Sequence, residues 1–128
     1  MSHNLSTPAA ITWQLISFED LTPSALYSAM ELRQRVFVVE QKCQYMDADG
    51  ADPSAQHLFG WRNSSGKRAL VAYARLFAPG VKYAEASIGR VVTHPDVRGT
   101  GAGKELMAEA IRLVEENEWG GGIRIAAQ

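Results

Sequence analysis

The 128-residue chain predicts an α/β fold of the α+β kind, with a mixed, mostly antiparallel sheet flanked by helices. Two strand-like runs, His57 to Arg62 and Ala69 to Phe77, are joined by Asn63-Ser64-Ser65-Gly66-Lys67, a composition that suits a tight antiparallel turn. A third run, Ala86 to Thr93, leads through a glycine loop into a strongly helical segment, Glu105 to Asn117. After a break at Gly120-Gly121-Gly122, Ile123 to Ala127 begins another strand. The crossover rule places it parallel to the strand before the helix.

Taken in order, residues 1 to 10 are polar with Pro8 and read as a flexible tail, and residues 11 to 128 read as one domain, long enough for a core of its own. Thr12 to Phe18 suits a first strand. Thr22 supplies a hydroxyl N-cap and Pro23 the first helical position, with Leu26, Met30 and Leu32 forming part of a buried face. This helix is expected to run to about Glu40, although the β-prone Val36 to Val39 also fits a helix end or a short extended piece. Gln41 to Ser54, with Asp47, Asp49, Gly50, Asp52 and Pro53, reads as a long solvated loop. In the later helix, Leu106, Ala110 and Leu113 lie beside Met107, Ile111 and Val114, a wide apolar face to set on the sheet.

Composition narrows the function classes. A net charge of -1 with scattered basic residues argues against a nucleic-acid footprint. No apolar run approaches the ~18 residues of a membrane span, and the start lacks a basic segment leading into an apolar one, so the expected compartment is the cytoplasm. Cys43, the single cysteine, fits a reducing compartment and has no neighbouring histidine to activate it. No metal-ligand spacing is present. The alternating Asp47, Asp49 and Asp52 begin like a calcium loop, but the twelfth position is Leu58 where a bidentate glutamate is required.

The most informative run is Arg98-Gly99-Thr100-Gly101-Ala102-Gly103-Lys104. A strand, a glycine loop and a helix start make an anion site, because glycines let the backbone approach a ligand and the first-turn amides point outward with the dipole behind them. Spacing excludes the two best-known versions. A Walker loop needs a glycine where Arg98 stands and a Ser or Thr where Glu105 stands; the dinucleotide fingerprint needs a glycine at Lys104.

What fits is an Arg/Gln-x-x-Gly-x-Gly/Ala loop preceded by Val91-Val92-Thr93-His94-Pro95, and it resembles the acyl-CoA site of the GNAT superfamily of N-acyltransferases. Leu32 to Gln41, Asp49-Gly50-Ala51-Asp52, His57 and Ala72 to Leu76 are similar to the ElaA-type branch, in that order along the chain. The resemblance implies acetyl-CoA as acyl donor. Arg98, Gly99, Thr100, Gly101, Ala102, Gly103 and Lys104 would hold its pyrophosphate, and Val91, Val92 and Thr93 would pair with its pantetheine arm. It also implies direct attack by a primary amine, on a small molecule or a peptide, without an acyl-enzyme. A further helix and strands would follow Gln128, so the chain reads as shortened at its C-terminus, with a sheet edge that invites a homodimer.

Acyl transfer needs a deprotonated amine, a polarised carbonyl and a protonated leaving thiolate. Glu40 and His57 are the catalytic candidates, with Asp52 beside them. Glu40 fits equally a solvated helix end or a partner of Arg33 or Arg35, and His57 a satisfied structural histidine. Arg75 and Arg90 read either as ion-paired strand residues or as neighbours of the acyl site. Two other functions remain consistent with the sequence: an acyltransferase for longer acyl donors, as similarity to acyl-homoserine-lactone synthases allows, and a CoA-binding module without catalysis.

Overall fold

The computed structural model describes residues 10–125; the expected tail, apart from Ala10, and the last residues of the expected final strand lie outside them. Five strands pair in chain order: β1 (Ile11–Ser17), β2 (Gln56–Ser64), β3 (Lys67–Phe77), β4 (Ala86–Thr93) and β5 (Ile123–Ile125). The first three junctions are antiparallel and β4 with β5 is parallel, so the mixed sheet expected from sequence is present. The β2–β3 turn is closed by Ser65 (φ 52°) and Gly66 (φ 78°), two consecutive left-handed residues that match the strands' twist.

Helix α1 (Pro23–Arg33) lies on one face and α2 (Ala102–Glu116) on the other. At the start of α1 the Thr22 hydroxyl accepts the Ala25 amide at 3.0 Å, the expected cap. Its buried stripe is Ala25, Ala29, Leu32 and Arg33, whereas Leu26 and Met30 are only half-buried. Small side chains let the helix sit close on Phe59, Trp61 and Tyr73 of the sheet. Leu106, Ala110, Leu113 and Val114 of α2 meet Leu58, Ala72, Ala74, Leu76 and Ile88 on the opposite face. Each fully buried Leu or Ile there contributes about 1.5–3 kcal/mol. Among the described residues no helix is long and apolar enough to cross a membrane.

Beyond Arg33 the chain neither continues as α-helix nor turns extended. Gln34–Glu40 is a π-helix, closed at its end by Gln41 N–H to the Val36 carbonyl at 2.8 Å, five residues back. Crowded β-branched residues disfavour the tighter helix, and the wider turn keeps Val36 and Phe37 in the core while Val38 and Val39 face out.

The acidic loop corrects the expectation of a solvated segment. Asp47 and Asp52 are buried, and their partners are arginines from three different elements: Arg33 of α1 (0 % exposed), Arg75 of β3 (1 %) and Arg90 of β4. Arg33 Nη1 donates to Asp52 at 3.0 Å and its Nε sits 3.0 Å from Asp47. Arg75 Nη1 reaches Asp49 at 2.8 Å and the same Asp52 oxygen at 2.9 Å; Arg90 Nε reaches Asp47 at 2.9 Å. Three buried guanidinium groups thus meet three carboxylates of one loop. The Arg75 hydrogen bonds hold the Asp49 carboxyl well below the usual range; at Asp52 burial pushes upward, but Arg75 and Arg33 outweigh it and leave it lowered.

At the crossing of β1, β2 and β3, Gly60 is required by contact. A Cβ there would lie 2.6 Å from the Trp13 ring and 2.9 Å from the Ala72 Cβ, and Trp13 is fixed from its far side by an indole N–H bond to Glu105 at 2.9 Å. Two outcomes follow. Gly60→Ala should lose about 1–3 kcal/mol of stability through overpacking, read as a lower denaturation midpoint in urea. Asp52→Asn, which leaves two buried guanidinium groups short of a carboxylate, should lose about 3–5 kcal/mol; a loss under about 1 kcal/mol would show that the arginines find solvent instead.

Candidate functional site

The glycine loop takes the conformation that an anion cradle requires. From Thr93 the chain passes His94 and a single 3-10 turn, Pro95–Val97, then reaches Gly99 (φ 81°) and Gly101 (φ 90°), both left-handed. Gly101 is the N-cap of α2 and contributes no side chain, and the first bond of the helix runs from Glu105 N–H to the Gly101 carbonyl at 3.0 Å. Among the described residues the amides of Ala102, Gly103 and Lys104 therefore have no hydrogen-bond acceptor. Val97 and the Ala102 methyl are buried with Val71 and anchor the loop from beneath. Nothing lies within 4 Å of where Cβ atoms on Gly99, Gly101 or Gly103 would stand, so the outer side of the loop is open. Gly99 and Gly101 are needed for backbone angle, Gly103 only for access.

Strand β4, which feeds this loop, is bulged. Tyr73 pairs with Val92 and Arg75 with Gly89, so Arg90 and Val91 together oppose Ala74 alone. Arg90 absorbs the extra residue at φ 50°, a left-handed angle that costs a non-glycine residue energy and collects at functional sites. Its guanidinium is held by Asp47, and 5.1 Å away lies the ring of Tyr45, which is exposed. Among the described residues β5 pairs only with Ala86–Ile88, the first part of β4, ahead of the bulge.

The structure separates the two catalytic candidates. Glu40, the last residue of the π-helix, is exposed and grips Arg98 of the loop with both oxygens, at 2.7 and 2.8 Å. The Arg98 hydrogen bond holds its carboxyl below the usual range, with the charges of Arg35 and His94 adding to it. Arg98 also donates to the Thr93 carbonyl at 3.3 Å, so it spans β4, loop and π-helix. The arginine that pairs with Glu40 is thus neither Arg33 nor Arg35 but Arg98, a contact across 58 residues of chain. His57, in contrast, is 1 % exposed, with Nδ1 at 2.6 Å from the Tyr73 hydroxyl and Nε2 at 3.0 Å from the Asp52 carbonyl. It supports the acidic loop and reaches no open surface. Burial pushes its pKa down, so the ring is neutral.

Sequence reasoning missed the buried Arg–Asp cluster and the Tyr73–His57 pair. The signal was present as three arginines on core-facing elements and three aspartates in one loop, but nothing in the sequence pairs them.

Comparison with known proteins agrees with this geometry. The Acetyltransferase (GNAT) family matches residues 23–127. UPF0039 protein sll0451 of Synechocystis is 47% identical over 102 residues, 80% of this chain and 64% of that protein; ElaA of Escherichia coli is 39% identical over 103 residues, 79% and 65%. The chain thus spans a little under two thirds of the length of these curated relatives. The crystal structure of Escherichia coli ElaA superposes with a TM-score of 0.81 at 34% identity, covering 92% of this chain and 78% of that one. An acyl-CoA N-acyltransferase from Pseudomonas aeruginosa gives 0.82 at 38%, covering 93% and 80%. The bulged β4, the uncapped glycine loop and these similarities converge: the chain belongs to the GNAT acetyltransferase family.

Proposed function

We propose that this chain binds acetyl-CoA and takes part in transferring its acetyl group to a primary amine. The observation that carries the reading is the set of three unpartnered first-turn amides behind an open, doubly left-handed glycine loop. A pyrophosphate supplies the acceptors those donors lack, and Lys104 and Arg98 bring positive charge to the same turn. The edge of β4 at Val91 to Thr93, beyond its pairing with β5 among the described residues, is the surface for the pantetheine amides. The thioester supplies the acyl group, and an amide of the bulged segment is the donor to the carbonyl oxygen as charge develops on it.

On the acceptor side the reading favours Glu40 over His57. Glu40 is exposed, and an exposed ion pair opens readily when phosphate competes for its arginine. His57 has neither access nor a free nitrogen. In direct transfer the amine loses a proton as its nitrogen bonds to the acyl carbon, and the carbon–sulfur bond breaks to release the thiolate. Glu40 would take that proton, directly or through water.

Three outcomes test this. Calorimetric titration should show acetyl-CoA binding to the wild type, weakened by at least tenfold in Gly103→Val, on the order of the 1.4 kcal/mol lost with one charge-assisted bond. Gly103 is the residue to change, since open space surrounds it, whereas a side chain at Gly101 would strain the backbone as well. Unchanged affinity would remove the pyrophosphate from this loop. Glu40→Gln should leave donor affinity intact or tighter while turnover falls by roughly 10²–10⁴; parallel losses would make Glu40 a structural tie. His57 should stay neutral as pH falls through about 6.5, where an unfolded histidine takes up its proton, so its contribution to stability is present above that pH and lost below it. A ring-proton NMR shift that titrates near 6.5 would contradict the buried assignment.

A further inference from the structure

Six described arginines, Arg33, Arg75, Arg90, Arg98, Arg112 and Arg124, each have a carboxylate within 4.0 Å. Among the described residues Arg35, Arg62 and Arg68 do not, and two of these three line the same groove. It lies between α1 and the first residues of β3, has a volume of about 290 Å³, and is also lined by His94, at the end of β4. That is about ten times the ~30 Å³ a water molecule occupies in the liquid. Glu31 lines it too, but its carboxylate is not within 4.0 Å of either guanidinium, among the described residues.

The cations are placed, not merely nearby. The Arg68 guanidinium lies 3.8 Å over the Trp61 ring, and Trp61 is itself held by an indole bond to Gln14 at 3.0 Å. Nδ1 of His94 accepts the Asp96 amide at 3.0 Å, which leaves Nε2 as the donor. Arg35 leaves the π-helix one residue after its start. Two guanidinium groups and an imidazole N–H from three elements thus share one groove; among the described residues neither guanidinium has a carboxylate within 4.0 Å, and the Asp96 carboxylate lies 3.7 Å from Nδ1 of His94.

The groove adjoins the glycine loop. Glu40, bound to Arg98, also feels the charge of Arg35, and Arg98 donates to the Thr93 carbonyl beside His94, so the two sites meet there. Acetyl-CoA carries two phosphate groups of different kinds: the pyrophosphate and a 3′-phosphate monoester on the ribose beside it. We propose that the Arg35–Arg68–His94 groove is a phosphate-monoester subsite, which receives the donor's 3′-phosphate while the loop holds the pyrophosphate. This rests on the donor assignment above and extends it. Two separate anion sites, one of amides and one of guanidinium groups, would make the chain select CoA over its 3′-dephospho form.

The test compares acetyl-CoA with 3′-dephospho-acetyl-CoA by calorimetry on the wild type and on Arg35→Ala/Arg68→Ala, and follows the His94 ring protons by NMR during titration with inorganic phosphate. The expected result is a preference of roughly tenfold or more for the 3′-phosphorylated donor, lost in the double variant with affinity for the dephospho form unchanged. Inorganic phosphate should shift His94 in the unliganded protein and not in the variant. Equal binding of both donors, with His94 still responding to phosphate when donor is saturating, would keep the subsite and assign it to a phosphate on another molecule. Equal binding with no His94 response would overturn the subsite while leaving the donor reading standing. If neither donor binds, the donor reading and the 3′-phosphate assignment fall together, and the phosphate titration alone decides whether the groove is an anion site.

Discussion

The meeting of three buried arginines with three aspartates, two of them buried, is the constraint on which the rest of this fold depends. The acidic loop has no regular hydrogen bonding of its own beyond a single turn at Asp52–Ser54. Its position is set by charge. Arg33 fixes it to α1, Arg75 to β3 and Arg90 to the bulge of β4, so the loop acts as a keystone that ties one helix to two strands of the sheet. Desolvating five charges is expensive, and such a cluster is a poor source of net stability compared with an apolar core. What it confers is position: each guanidinium fork accepts only a narrow set of carboxylate orientations.

Arg90 shows how this bears on the candidate site. Its left-handed backbone is unfavourable by itself, and a bulge at an unsupported residue would relax. Two bonds from its guanidinium to Asp47, one of them to the backbone carbonyl at 3.1 Å, hold the side chain on the α1 face while the backbone bends. The strain is retained because the network over-determines it. His57 serves the same assembly from β2, linking the Asp52 carbonyl to the Tyr73 hydroxyl.

Much of this was legible in the sequence where the physics is local. The hairpin turn was written in Ser65-Gly66, the start of α1 in Thr22-Pro23, and the cradle in Gly99 and Gly101, because each depends on the conformational preferences of a few adjacent residues. The apolar rows of α2 were equally plain. What could not be read is what depends on distant partners. Asp47 and Asp52 looked solvated since nothing in Gln41 to Ser54 announces an arginine waiting on β3 or β4. Glu40 and Arg98 are 58 residues apart. The bulge was hidden for the same reason: Gly89-Arg90-Val91-Val92 reads as an ordinary strand until its partner is known. The end of α1 was ambiguous because valines oppose the α-helix without dictating what replaces it.

The π-helix carries a consequence for how this chain tolerates changes in length. Between Arg33, locked into the aspartate cluster, and Glu40, paired with Arg98 of the glycine loop, the wide turn accommodates one residue more than the same axial distance requires in an α-helix. Deleting one residue would give the segment a more ordinary helical winding. It would leave Glu40 nearly in phase, because an α-turn with one residue fewer sweeps almost the same angle, whereas deleting two would carry its carboxylate off Arg98. The residue count between these two fixed ends can therefore fall by one and not by two, a tolerance that an α-helix of the same span would lack.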